Sequence, residues 1–188
     1  MTKGWFSTPG RPGDRTLENQ LKGLDQLWPK VPGKRVLDLG CAEGLISAQC
    51  LIHGAEFVTG AELVKGHVDV ARRLVVDDRS AFLHCDLNDM NQVTALANVT
   101  PKHTIVLMLA ILHKLQRPDL LVREIVLRRR PELIVLRTPE STPGYVRDER
   151  SGMRLFDTTA QLWDLGYKVD STATGHFEEH VSYFVRRD

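Results

Sequence analysis

The sequence predicts an α/β fold with a mostly parallel sheet covered by helices on both faces. Three observations support this. From Lys34 onward, short apolar runs alternate with segments whose apolar residues recur at helical spacing. The run 104–109 is apolar after its first residue, as expected of a strand buried on both faces. The segment 36–44 carries a strand straight into a turn with glycine at 40 and 44, and a helical pattern follows.

Taken in order, residues 1–14 hold three glycines and two prolines around Trp5 and Phe6, and read as a loop or arm. Asp14 or Thr16 can cap a helix to about Trp28, because Leu17, Leu21, Leu24 and Trp28 share one helical face. Pro29, Pro32 and Gly33 end it. Strands are expected at 35–39, 56–61, 81–84, 104–109 and 133–137, and helices at 44–53 and 65–74. Gly54 closes the helix at 44–53. Pro118 suits the first turn of a further helix, which runs to about Arg130. Asp157 can cap a helix to Leu165, with Gly166 as its stop. The runs 167–174 and 181–186 read as two last strands joined near Gly175, giving seven strands. Residues 138–156 form the widest irregular stretch. Residues 1–33 are expected to be an arm and helix packed on a domain formed by 34–188.

Composition narrows the classes. A chain of 188 residues can bury a substantial core. The formal charge of +1 provides no global field toward nucleic acid or anionic membrane. Cys41, Cys50 and Cys85 are odd in number and form no C-x-x-C pair, so neither a disulfide framework nor a thiolate metal site is expected. The start Met1-Thr2-Lys3-Gly4-Trp5 lacks the apolar stretch of a secretory signal. No apolar run approaches the roughly 20 residues that span a bilayer. A soluble, cytoplasmic protein is expected.

Ligands of parallel α/β sheets bind at the carboxyl ends of the strands, so the chemistry is expected in the loops there. Val36-Leu37-Asp38-Leu39-Gly40-Cys41-Ala42-Glu43-Gly44 is the most informative segment. Its D-x-G-x-x-x-G spacing is not the G-x-G-x-x-G of dinucleotide folds. It also carries an acid on the strand, which suits a cationic amine and would repel a pyrophosphate. A plain strand–turn–helix corner with Asp38 as a cap is the alternative.

V-L-D-L-G-C-A-E-G resembles the first motif of class I S-adenosylmethionine-dependent methyltransferases, with Ala42 where that family more often has glycine. The resemblance extends over about residues 34–188 and implies a Rossmann-like three-layer sandwich with an antiparallel last strand. It implies S-adenosylmethionine as cofactor, with Asp38, Gly40, Cys41, Ala42, Gly44 and Leu45 around its methionine end. It places Glu62, followed by Leu63, at the ribose, where a carboxylate accepts from both hydroxyls. Asp86 and Leu87 fall at the adenine, and Met108, Leu109 and Ala110 at the floor. Each acid keeps a plainer alternative: Glu62 as a cap or solvated acid, and Asp86 as cap of a helix beginning near Asn88. The segment 108–115 is similar to the V-L-H-H-L type seen in small methyltransferases, with Lys114 where a second His is frequent.

His113 and His180 are weak candidates for catalysis, and no base is assigned. His176, Glu178, Glu179 and His180 lack the H-E-x-x-H pattern, and no metal site is expected. Arg128, Arg129 and Arg130 read as cations complementing a helix end. The implied function is methyl transfer to an unidentified small-molecule or RNA acceptor by direct displacement. A non-catalytic binding protein on the same fold and a nucleotide-dependent oxidoreductase remain as alternatives.

Overall fold

A computed structural model describes residues 4–8, 13–99, 104–138, 158–176 and 179–188. Its main sheet has seven strands: β3 (Arg35–Leu39), β4 (Phe57–Glu62), β5 (Ser80–His84), β6 (Ile105–Leu109), β7 (Leu133–Thr138), β8 (Tyr167–Thr174) and β9 (His180–Arg186). Their order is β5-β4-β3-β6-β7-β9-β8. All neighbouring pairs are parallel except those of β9, which runs antiparallel to both β7 and β8. The expected Rossmann-like three-layer sandwich with an antiparallel last strand is therefore present. The chain order reverses between β3 and β6, which makes their carboxyl ends the topological switch point.

Side chains alternate across the sheet with the period of two that strands impose. Val36, Val58, Ile105, Leu107 and Val135 face one core, shared with α2 (Leu45–Ile52) and α3 (Lys65–Leu74). Leu37, Leu39, Val106, Met108 and Ile134 face the other. That core is shared with α4 (Met90–Val99), α5 (Pro118–Arg129) and α6 (Thr158–Asp164). Pro118 occupies the first turn of α5, as its missing N–H allows. Arg129 is buried rather than solvated, and its Nη2 donates to the carbonyl of Leu96 at 2.7 Å. Asp89, not Asp86, caps α4 by accepting from the N–H groups of Asn91 and Gln92.

Two expectations for the N-terminal region need correction. Residues 4–6 and 13–15 are not merely an arm: they form β1 (Gly4–Phe6) and β2 (Gly13–Arg15), a two-stranded parallel ladder. The Ser7 hydroxyl accepts from the N–H of Gly13 at 3.1 Å and braces it. The helix expected to reach Trp28 stops early, as α1 (Leu17–Leu21), with Thr16 as its cap. Gly23 adopts φ +78°, outside helical space, and the chain proceeds through turns to a 3₁₀ turn at Trp28–Lys30. Carbonyls that a longer helix would need are used elsewhere. Arg137 Nη2 donates to the carbonyls of Gln20 (2.7 Å) and Lys22 (2.9 Å), and the Tyr183 hydroxyl donates to that of Gly23 (2.7 Å). Leu24 still reaches the core, and Leu17, Leu21 and Trp28 pack against it, although the helix is not continuous.

Arg137 is 1% exposed and faces Glu179 at 3.6 Å. Arg137→Met keeps much of the buried stem. It leaves two carbonyls and a buried carboxylate short of a donor. It should lower unfolding stability by about 3–5 kcal/mol. Urea unfolding should give a lower midpoint at unchanged slope; an unchanged midpoint would contradict the anchoring role.

Candidate functional site

The carboxyl ends of β3, β4, β5 and β6 open onto one cleft of about 240 Å³. It is lined by Gly40 and Ala42 after β3, by Glu62, Leu63 and Val64 after β4, and by Asp86, Leu87 and Asn88 after β5. Leu109, Ala110, Ile111, Lys114 and Leu115 line it after β6, with Gln20 and His67 from the flanks. Eight of the sequence-derived cofactor residues thus meet in one place: Gly40, Ala42, Glu62, Leu63, Asp86, Leu87, Leu109 and Ala110.

The first loop is built for close approach. Gly40 and Gly44 both have φ +77°, and a Cβ on Gly40 would sit 3.0 Å from the Ile111 side chain. Ala42 (φ 49°) and Ala110 (φ 56°) hold the left-handed conformation without being glycine. Each costs roughly 1–2 kcal/mol, and both line the cleft. Such strain persists where surrounding structure enforces it, commonly at functional sites.

The remaining first-loop residues lie beneath the surface of the cleft. Asp38 is 3% exposed and accepts from the Ser47 hydroxyl at 2.7 Å. The Cys41 side chain is buried, and its sulfur would meet a Cβ on Gly60 at 2.7 Å. Gly44 is the N-cap of α2, Leu45 packs on the core, and Met108 faces the second core. His113 and His180 do not line the cleft. His180 lies on β9, exposed, in register with Thr138.

Glu62 connects two loops. Its Oε2 accepts from the Ala42 N–H at 3.1 Å and its Oε1 from the Val64 N–H at 2.8 Å. A carboxylate has about four lone-pair sites, so acceptor capacity remains for a ligand. Asp86 accepts from the Asn88 N–H through Oδ1 at 2.9 Å, an Asx-type turn that holds the carboxylate at the cleft. His67 lies between Glu62 (3.9 Å) and Glu43 (3.5 Å), and Glu43 is fully buried. Glu43 and His67 escaped the sequence reading, as did Gln20. An acid within the first loop is the available sequence signal for Glu43; nothing local marks the other two.

Burial drives the titration behaviour. The Asp38 carboxyl is pushed up from 3.8 to about 6 by desolvation, with the Ser47 hydrogen bond opposing and the Glu62 charge adding. Burial also raises the thiols of Cys41, Cys50 and Cys85, so they stay protonated and unreactive at neutral pH. His113 is lowered to about 4 by burial and by the charges of Lys114 and Arg15, and is neutral at pH 7.

The Asp38 shift has a stability consequence. An acid whose folded-state value exceeds its unfolded value favours folding only while protonated. Its contribution is full below 3.8 and is lost as pH rises from 3.8 to about 6. The loss is about 3 kcal/mol. Asp38→Asn should therefore gain stability relative to the parent across that window, and urea titrations at pH 4 and pH 7 would measure it. Equal pH slopes for the two proteins would contradict it.

No family model matches the chain. A demethylmenaquinone methyltransferase of Clavibacter sepedonicus is 38% identical over 86 residues. The match covers 41% of this chain and 35% of that protein, so the chain spans about a third of its relative's length. Solved structures resemble it over most of its length. Magnesium protoporphyrin IX methyltransferase from Synechocystis, with bound S-adenosylhomocysteine, matches at TM-score 0.64 and 19% identity, covering 87% of this chain and 81% of that one. An S-adenosylmethionine-dependent methyltransferase from Mesorhizobium loti matches at TM-score 0.66 and 16% identity, covering 87% and 95%. One from Aquifex aeolicus matches at 0.63 and 16%, covering 89% and 91%. The chain has the fold of class I S-adenosylmethionine-dependent methyltransferases. Among the described residues, no helix is long and apolar enough to cross a membrane, and no group of three or more His, Cys, Asp or Glu side chains is placed to hold a metal ion.

Proposed function

We propose that this chain is an S-adenosylmethionine-dependent methyltransferase. The observation that carries the reading is the convergence of Glu62, Asp86 and the strained loops at Ala42 and Ala110 on one cleft at the switch point. The residues fit the cofactor. Glu62, with acceptor capacity to spare, takes the ribose hydroxyls. Asp86 and Leu87 offer an acceptor and an apolar surface to the adenine. The turn at residues 40–42 lets the methionine end lie against backbone, with Asp38 as a buried acid on the strand before it. Leu109 and Ala110 form the floor.

When bound, S-adenosylmethionine supplies an electrophilic methyl group. The protein's part is to hold that group and the acceptor in line and to exclude water, which can account for much of a rate enhancement. No general base is assigned. The acceptor is a small molecule or an RNA, and its choice falls to the N-terminal arm and residues 138–156, of which 139–156 lie outside the described residues. We place the protein in the cytoplasm.

The test is methyl transfer. The protein is incubated with S-adenosylmethionine labelled in its methyl group and with small-molecule and RNA fractions of a cell extract. Label should appear in one fraction. Tight S-adenosylhomocysteine binding with no transfer into either would favour a non-catalytic binding protein instead.

A further inference from the structure

His67 lines the cleft from the first turn of α3, and the contacts assigned to Glu62, Asp86 and Leu87 leave it unused. Its ring stands between two loops. Nε2 faces Oε1 of Glu43 in the loop after β3 at 3.5 Å, and Nδ1 faces Oε1 of Glu62 at the end of β4 at 3.9 Å. The side chains of His67 and Glu62 are 15% and 12% exposed, and that of Glu43 is fully buried. Backbone bonds set the spacing of ring and carboxylate. The His67 N–H donates to the Val64 carbonyl at 2.8 Å, and the Val64 N–H donates to Glu62 Oε1 at 2.8 Å. Neither acid depends on the ring alone. Glu43 has further interactions of its own, Glu62 holds two backbone N–H groups, and the charge of Lys114 also reaches Glu62.

The 3.9 Å between Nδ1 and Glu62 Oε1 is too long for a hydrogen bond. It suits a third atom placed to one side, at about 2.8 Å from each. That atom must satisfy an ionised carboxylate, which only accepts, and a ring N–H, which donates. A hydroxyl does both: it gives its hydrogen to the carboxylate and accepts from the ring. A carbonyl or ether oxygen has no hydrogen for Glu62. One lone pair of Oε1 is taken by Val64, which leaves the second for the hydroxyl.

We propose that His67 is a second contact to the cofactor ribose, donating through Nδ1–H to the hydroxyl whose own hydrogen goes to Glu62 Oε1. This deepens the methyltransferase reading and rests on it. Histidine carries a hydrogen on Nδ1 in one neutral tautomer and in the imidazolium; in the imidazolium Nε2–H also points at Glu43. His67 and Glu62 together test whether the sugar carries a hydroxyl at that position.

The test is calorimetry with S-adenosylhomocysteine and with its 2′-deoxy and 3′-deoxy analogues, on the parent, His67→Ala and His67→Asn. His67→Ala should weaken S-adenosylhomocysteine binding about fivefold. It should weaken one deoxy analogue by the same factor and leave the other within about twofold of the parent, because that ligand lacks the hydroxyl the ring would hold. Asparagine can place an amide nitrogen near the position of Nδ1, so His67→Asn should bind S-adenosylhomocysteine to within about twofold of the parent. His67→Phe keeps a ring without a donor; it should behave as His67→Ala does, and it decides the matter should the alanine variant fail to fold. Equal losses for all three ligands would show a merely structural role and overturn the proposal. Unchanged S-adenosylhomocysteine affinity in His67→Ala, or no recovery in a folded His67→Asn, overturns it as well. In each of these cases the parent still binds S-adenosylhomocysteine and the methyltransferase reading stands. A parent that binds none of the three ligands contradicts that reading, and the ribose contact falls with it.

Discussion

Replacing Glu62 with alanine should weaken S-adenosylhomocysteine binding by about two orders of magnitude. Hydrogen bonds to a charged acceptor contribute about 1.5–3 kcal/mol each, and the ribose offers two hydroxyls. Glu62 also ties the loop after β3 to the start of α3, through the N–H groups of Ala42 and Val64. Alanine therefore removes a ligand contact and a brace together. Glu62→Gln separates the two, because its single carbonyl oxygen can keep one backbone bond without the charge; its loss should be nearer tenfold. Calorimetry on both variants, with thermal unfolding as a check of folding, distinguishes the contributions. An unchanged affinity for Glu62→Ala would contradict the ribose assignment.

Gly44→Ala should lower the melting temperature by roughly 10 °C. At φ +77° an L-residue is strained, and the new Cβ would lie 2.9 Å from the Phe82 ring and 3.0 Å from the Ala71 Cβ. Strain of roughly 1–2 kcal/mol adds to overpacking of about 1–3 kcal/mol. Gly33→Ala is the control. It shares a positive φ, +68°, but its Cβ would meet nothing within 4 Å. Only the backbone strain should then register, a drop of a few degrees. Scanning calorimetry on the pair checks this, and equal shifts would show that the packing against α3 and β5 is looser than these distances imply.

The parts of the fold that were legible in the sequence are those set by local periodicity. The strands at 35–39, 104–109 and 133–137 and the helices of residues 65–74 and 118–129 were expected within a residue or two of where they lie. The helix continued to Trp28 was not, because its end is decided by partners far along the chain. Arg137 and Tyr183 claim carbonyls around Gly23, and no window near residue 23 contains that information. The β1–β2 ladder escaped for a related reason: a glycine-rich composition disfavours regular structure, and only the pairing itself reveals it.

The site divides the same way. Gly40, Glu62 and Asp86 were readable because each closes a strand, and strand ends converge in a parallel sheet. Their depth was not readable. Asp38 and Cys41 are buried because Ser47 of α2 covers the first and Gly60 of β4 lies against the second, and those contacts come from elements distant in sequence. Gln20 joins the cleft from a helix that precedes the sheet. Its place depends on the Arg137 anchor, a contact between residues 117 positions apart.

The central claim is that the cleft at the ends of β3 to β6 binds S-adenosylmethionine. Isothermal calorimetry of the purified protein with S-adenosylhomocysteine, with NADH in parallel, tests it most directly. The account predicts one-to-one binding of S-adenosylhomocysteine with a dissociation constant on the order of micromolar, about −8 kcal/mol, and no heat with NADH. Binding of NADH in place of S-adenosylhomocysteine would contradict it, and would mean that the loop at residues 40–44 serves a dinucleotide.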